Sequence, residues 1–498
     1  MAYYRNPQLS AEEMLSIIRN GLGISQVQKK IIVVGAGMSG LVAASLLKDA
    51  GHDVTVLEAT QRVGGRIFTM REPFMDDLYL DVGAMRIPHV HQLVLEYIKK
   101  FRLKVNEFRN TTPQDLIFAN GIKTNRTAYQ QNPDMLGYPV APHEKGKTAE
   151  ELLTMAIKPV ADFINQNPIQ NWSIVVREFD RYPMSFFLRY NPAGPSLSPG
   201  ALESIKVLLG LEGFPELSFP AILRELLPLF SPDIHFYEIE GGNDKLPNAF
   251  LPQLKEDLFF GYQMTKIVQD PEQVTIHARH TLSQRPLVIT GDLAIITIPF
   301  SLLSFVEVVP RNSFSHDKWK AIRELHYVSS TKIGLQFKQR FWEREGLHGG
   351  KLMTDLPIRF AAYPSHLIGS SGSGIIMASY TWEDDTLSWD NLKEGDRIRN
   401  ALDNLAVIHG NQVYEHFLTG ASHSWSQYPF SGGAFSMFKP NQETELYPVI
   451  PIPEGRVHFA GEHTSTAPGW IEGAIQSGIR AASEVTDLPR GYYRWQKW

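Results

Sequence analysis

Apolar and polar positions follow two rhythms along this chain, one of helical period and one of strand-like runs, and the changes between them mark its organisation. Ser10 followed by Glu13 has the spacing of a capping box, opening a short amphipathic helix to about Asn20, an N-terminal arm ahead of the first domain. "KKIIVVGAGMSGLVAASLLKDAGHDVTVLEA" then predicts a buried strand, a glycine turn, a helix ending at Gly51 and a second strand, a βαβ unit. From roughly Thr148 to Leu229 the pattern is mostly helical, with "NPAGPSLSPG" as a loop. "GGNDKLPNAF" at Gly241 opens a further helix, followed by strands around Thr265, Val274 and in "DLAIITIP". "TKIGLQF" and "GIIMASYTW" read as strands of a mixed sheet, with "GSSGSG" at Gly369 as a surface loop. The stretch from Gly455 to Val485 returns to strand, loop and helix, and no internal repeat is found. An α/β domain begun near Lys29 and completed near Val485 must be discontinuous, with other domains inserted into it.

Composition narrows the classes. The 498 residues exceed one ordinary core, and 43% hydrophobic with 20% charged residues describe a soluble globular chain. A net charge of -5 without a Lys/Arg run argues against nucleic acid as a partner. The absence of cysteine excludes disulfides, thiolate metal sites and thiol nucleophiles. The first residues are mixed and charged, unlike a secretory signal, and "LAIITIPFSLLSFV" is too short to span a bilayer, so a cytoplasmic protein without membrane attachment is expected. His89 and His91, and His277 and His280, lack a third ligand, so no metal is expected; no GxSxG elbow supports a serine hydrolase.

"GAGMSG" sets Gly35, Gly37 and Gly40 directly after an apolar strand and at the start of a helix, with Glu58 at the end of the next strand. Gly35 makes the turn, Gly37 lets the backbone approach a pyrophosphate at the helix N-terminus, and Gly40 allows close packing. Glu58 would accept from a ribose hydroxyl. "EATQRVGGRI" follows with Arg62, Gly64, Gly65 and Arg66, able to wrap the far side of a diphosphate. In the C-terminal stretch Gly461 and Glu462 follow a strand, and a helix beginning near Trp470, with Gly473 and Ala474 small, can aim its N–H groups at a ring that gains negative charge on reduction.

Together with "GGNDKLP" and "FAGEHTSTAPGWIEGAIQSG", these motifs resemble the flavin amine oxidase family over nearly the whole chain. Within it, "DVGAMRIP", "FWEREGLHGGKLMTDLP" and "APGWIEGAIQSG" look most like the L-amino acid oxidases. The resemblance implies an α/β fold: a discontinuous Rossmann-like FAD-binding domain (29–72, 241–322 and 445–487), an inserted mixed-sheet substrate-binding domain (73–130 and 323–444) and a helical domain (131–240). An arm at 1–28 packing on the substrate domain and a tail at 488–498 complete the expected layout. It implies FAD contacts at Gly35, Ala36, Gly37, Met38, Ser39, Gly40, Glu58, Ala59, Gly65, Arg66, Gly83, Ala84, Met85, Arg86, Met264, Trp425, Gly461, Glu462, Gly469, Trp470, Ile471 and Ala474. Relatives that attach flavin covalently use a cysteine after paired glycines; this chain has "SGGAF" with Ala434, so noncovalent FAD is expected.

Arg86 is the decisive residue, a guanidinium among glycine, alanine, methionine, isoleucine and proline. Its partner is either another residue, such as Glu462 or Glu58, or a ligand. By resemblance Arg86 and Tyr380 hold a substrate carboxylate, Lys332 holds a water beside the flavin and is linked to oxygen, and Trp470 with Tyr380 walls the amine. Leu226, Trp382, Ala434 and Gly469 border the substrate pocket, with Leu226 where some relatives carry a histidine; Glu203 or Glu212 could select basic side chains instead. The implied reaction takes an L-amino acid, hydrophobic or aromatic or of broad range, and oxygen to a 2-oxo acid, ammonia and hydrogen peroxide. An amide-forming amino acid 2-monooxygenase, a monoamine or polyamine oxidase and a flavin-free binding protein are the alternatives. A homodimer or higher homo-oligomer is suggested by resemblance alone.

Overall fold

A computed structural model describes residues 9–210, 215–229, 231 and 233–487. Its centre is a five-stranded parallel sheet in the order Leu258–Phe260, Asp53–Glu58, Lys30–Val34, Leu293–Ile296, Val457–Phe459. Its central strands Lys30–Val34 and Leu293–Ile296 are almost wholly buried, which is why they read as apolar runs without alternation. The strands come from three widely separated stretches of chain, 30–58, 258–296 and 457–459, so the other layers are inserted between them.

Helix Met38–Asp49 follows the first strand and packs against the C-terminal helix Ile471–Asp487, so both ends of the chain meet over the sheet. Gly40 permits this turn: a Cβ there would stand 2.0 Å from the Gly35 carbonyl oxygen. The capping box at Ser10 is present, and the arm helix Ala11–Asn20 rests on helix Gln92–Lys100 and on the C-terminal helix. Arg19 pairs with Glu96 at 2.8 Å, while Ile18, Val94 and Ile98 share one core with the parallel sheet. The bed of the arm therefore includes the dinucleotide layer, to which the 73–130 stretch lends a helix. "GGNDKLPNAF" forms two short helical turns, Lys245–Asn248 and Leu251–Leu254, each holding a proline that limits its length.

A seven-stranded sheet carries the residues that face the cavity, with Ser330–Phe337 between Phe417–Ser424 and Gly374–Trp382. Its antiparallel register sets Lys332 opposite both Tyr380 and His423. Directly opposed residues point to the same face, so one register fixes all three. The helical layer comprises Ala149–Gln166, Pro168–Phe179, Met184–Arg189, Pro199–Leu209 and Phe219–Leu229, the first opened by a capping box between Thr148 and Glu151. The tail at 488–498 lies outside the described residues. Among those described, no helix is long and apolar enough to cross a membrane.

Candidate active site

One cavity runs between these layers, from the glycine turn after the first strand to the seven-stranded sheet and the helical layer. At its dinucleotide end it is lined by Gly35, Gly37, Met38, Ser39, Glu58, Gly65 and Arg66. Gly37 is the N-cap of helix Met38–Asp49 and offers no side-chain oxygen, so the helix start faces the cavity uncapped. Glu58 is held rigid, accepting from the backbone N–H of Ala36 at 2.9 Å and of Thr60 at 2.8 Å. Ala36, Gly40, Ala59 and Met264 do not line the cavity: Ala36 and Gly40 build the turn, and Met264 packs in the core beneath the outer four-stranded sheet.

Gly83, Ala84, Met85 and Arg86 form the next part of the wall. Gly83 touches the preceding segment so closely that a Cβ would stand 2.0 Å from the Arg66 carbonyl oxygen. Lys332 locks this segment in place, its Nζ donating to the Gly83 carbonyl at 2.7 Å and the Asp81 carbonyl at 3.2 Å. Burial pulls the Lys332 ammonium down to about 7 against the opposing pull of Asp81, and pushes the Asp81 carboxyl up to about 7. The ammonium lies 4.5 Å from the centre of the Tyr380 ring. Trp425 donates its indole N–H to the Val82 carbonyl at 2.9 Å, bracing the same segment from the far side.

The two carboxylates considered as partners for Arg86 are committed elsewhere. Glu462 pairs with Arg66 at 2.7 Å and accepts from Ser436 Oγ at 2.8 Å and the Gly469 N–H at 2.9 Å. Burial would raise its pKa, but these partners, Arg66 foremost, hold it below the usual carboxylate value. Glu58 is engaged as described above. Arg86 itself donates to the Asn110 side-chain carbonyl and lies over the Phe236 ring at 5.3 Å. Among the described residues it forms no ion pair. Burial lowers its pKa, opposed by the nearby Tyr380 and Glu225, neither of which forms an ion pair with it.

Leu226, Trp382, Ala434, Gly469, Trp470, Ile471 and Ala474 line the remaining wall, with Gly461 and Glu462 where the strand Val457–Phe459 ends. Trp382 stands edge-on to Tyr380 at 5.2 Å and to Phe435 at 5.8 Å, making an aromatic corner. Beside Leu226 stands Glu225, a group that the sequence reading passed over in naming leucine alone. The Trp470 indole N–H donates to its carboxylate. Burial pushes Glu225 up to about 7, resisted by the Trp470 hydrogen bond and by Arg224 and Arg86. Glu203 lies outside the cavity lining, 3.6 Å from Lys206, and Glu212 is outside the described residues. His91, noted above only as lacking partners for a metal, lines the cavity edge-on to Trp470 at 4.8 Å, and burial pulls it down to about 4, leaving it neutral.

A groove with an uncapped helix start, a fixed acid on its wall and a lysine-braced segment suits a dinucleotide that carries a large flat ring. The sequence profile of flavin-containing amine oxidoreductases matches residues 38–486. The chain belongs to that family. It is therefore an oxidoreductase that works with a flavin. A Bacillus subtilis (strain 168) protein, YobN, provisionally named an L-amino-acid oxidase, is 54% identical over 97% of this chain and 99% of its own length. L-amino-acid oxidases of Gloydius halys and Siganus canaliculatus are 36% and 34% identical, each over 95% of this chain and over 92% and 88% of theirs. Among solved structures, putrescine oxidase bound to putrescine has a TM-score of 0.74 at 18% identity, covering 92% of this chain and 99% of its own. Cyclohexylamine oxidase from Brevibacterium oxydans IH-35A has a TM-score of 0.73 at 20% identity, covering 93% and 99%. These two likenesses establish the fold of this family member: a discontinuous α/β dinucleotide domain with inserted sheet and helical layers.

Proposed function

We propose that this enzyme oxidatively deaminates L-amino acids with noncovalently bound FAD and molecular oxygen. The observation that carries the reading is Arg86: a cavity-facing guanidinium that forms no ion pair among the described residues, with Glu462 and Glu58 used elsewhere and the nearby Glu225 held by the Trp470 indole N–H. A substrate carboxylate supplies the missing ion pair, and its bidentate form fixes the plane of that carboxylate and so the direction of the Cα–H bond. Simple amines bring no such group.

The residues present fit FAD. The uncapped start of helix Met38–Asp49 would hold the pyrophosphate and Glu58 the ribose, and Ala434 offers no sulfur for attachment. The chemistry a bound FAD supplies there is acceptance of a hydride from Cα, with the electrons passed on to oxygen as peroxide. Arg86 and Tyr380 orient the substrate. Glu225, ionised above about 7, takes a proton from the substrate ammonium, which frees the nitrogen lone pair as the Cα–H bond breaks. Trp470 holds that carboxylate in place through its indole N–H. The aromatic corner of Tyr380, Trp382 and Phe435 with Leu226 excludes water and suits bulky apolar side chains. The imino acid then hydrolyses in water to a 2-oxo acid and ammonia.

Peroxide detection with purified holoenzyme against single L-amino acids, their D-enantiomers and simple amines tests the reading. Peroxide and 2-oxo acid from L-amino acids are expected. Peroxide from amines but not amino acids would reject it, and an amide product without peroxide would indicate the monooxygenase instead.

A further inference from the structure

The cavity that Arg86 lines also takes in its hydrogen-bond partner Asn110, with Thr111, Arg126, Glu150 and Lys351. Thr111 is exposed, so this part reaches solvent. Its donors are unevenly used. Arg126 pairs with Glu150 at 2.8 Å, whereas the Lys351 ammonium faces the charge of Asp115 but donates no hydrogen bond to any described residue. Burial pulls Lys351 down to about 8, with Asp115 opposing the shift and Arg86 and Arg126 adding to it, so it is largely ionised at neutral pH.

The lysine is placed there by its backbone. Gly349 and Gly350 both have positive φ, 79° and 78°, and a Cβ on Gly350 would stand 2.2 Å from an Asp115 carboxylate oxygen. That oxygen accepts from the N–H of Lys351 and of Thr112, each at 3.0 Å, and Asp115 is wholly buried. The paired glycines thus let the strand Lys351–Thr354 begin against Asp115, which fixes the backbone from which the ammonium reaches the cavity.

We infer that Lys351, with Asn110 and Arg126 beside it, forms an outer carboxylate-binding subsite between solvent and Arg86. An ammonium with unused donors in low-dielectric walls attracts a carboxylate and speeds its entry, and Arg86 then receives the charge. The inference rests on the reading of the inner cavity as an amino acid site. The carboxylate it holds has two sources: the α-carboxylate of an entering substrate, or the side-chain carboxylate of an acidic one.

Benzoate binding to the holoenzyme, followed by stopped-flow flavin absorbance at rising ionic strength, separates these. For the α-carboxylate, the association rate falls as salt rises in the wild type. Lys351→Gln then lowers it roughly three- to tenfold at low salt and flattens its salt dependence, while Lys351→Arg restores both. For a side-chain carboxylate, Lys351→Gln leaves benzoate alone and lowers the kcat/KM ratio of L-glutamate to L-leucine by a similar factor. A benzoate rate and a glutamate-to-leucine ratio both unchanged in Lys351→Gln would overturn the subsite, as would a wild-type benzoate rate indifferent to salt together with that unchanged ratio. No flavin perturbation by benzoate in the wild type would contradict the inner carboxylate site itself.

Discussion

Glu225 shows how one side chain alters the chemistry of a pocket without changing its shape. A carboxyl at an ordinary value would stay ionised throughout the working range, but burial lifts this one to about 7, where its charge is adjustable. Below about 7 it is protonated and cannot accept from the ammonium; above, it can. Activity governed by it therefore rises with pH through about 7. Glu225→Gln keeps an oxygen for the Trp470 indole N–H and removes the titration. The expected result is a kcat/KM lower by roughly ten- to a hundredfold above about pH 8, with the rise through about 7 gone from the pH profile. An unchanged profile would leave the proton to water. Glu225 escaped the sequence reading because an acid within "ILRELLPLF" looks like the solvated face of an amphipathic helix; its partner Trp470 is 245 positions further along.

The dinucleotide motif was fully legible at the level of elements, because its parts lie within one βαβ unit and each glycine has a local steric reason. Gly40 illustrates the cost of disturbing it. A methyl group there would meet the Gly35 carbonyl oxygen at 2.0 Å, driving helix Met38–Asp49 away from the strand and tilting the helix start that faces the cavity. Gly40→Ala is expected to cost about 1 to 3 kcal/mol in this contact and to weaken flavin retention by roughly ten- to a hundredfold. The flavin-to-protein ratio after dialysis measures it, and a ratio equal to wild type would contradict the account. The alignment of Lys332 with Tyr380 was not legible in the same way. Both segments read as strands, but the register that puts the two residues opposite each other depends on pairing across a long insertion, with a bulge between Ile333 and Gly334.

At the scale of the whole molecule, the recurrence of α/β pattern at both ends of the chain made discontinuity predictable, and the five-stranded sheet draws strands from residue 30 to residue 459. What sequence could not show is which inserted layers meet over the cavity. Asn110 and Lys351 reach the same cavity as Arg86 only because separate segments converge there, and no local pattern distinguishes them from surface polar residues. Arg86 was legible for the opposite reason: its apolar neighbours left it without a local partner, and the fold keeps Glu462 and Glu58 occupied elsewhere. Its role is the central claim. The most direct measurement compares kcat/KM for an L-amino acid and for the amine made by removing its carboxylate, in wild type and in Arg86→Ala. Loss of one partner of a buried charge pair costs about 3 to 5 kcal/mol, a factor of roughly a hundred to a few thousand. The wild type should strongly prefer the amino acid, and Arg86→Ala, still binding flavin, should lose that factor on the amino acid alone, collapsing the preference. A preference that survives in Arg86→Ala would contradict the assignment of this cavity to an amino acid carboxylate.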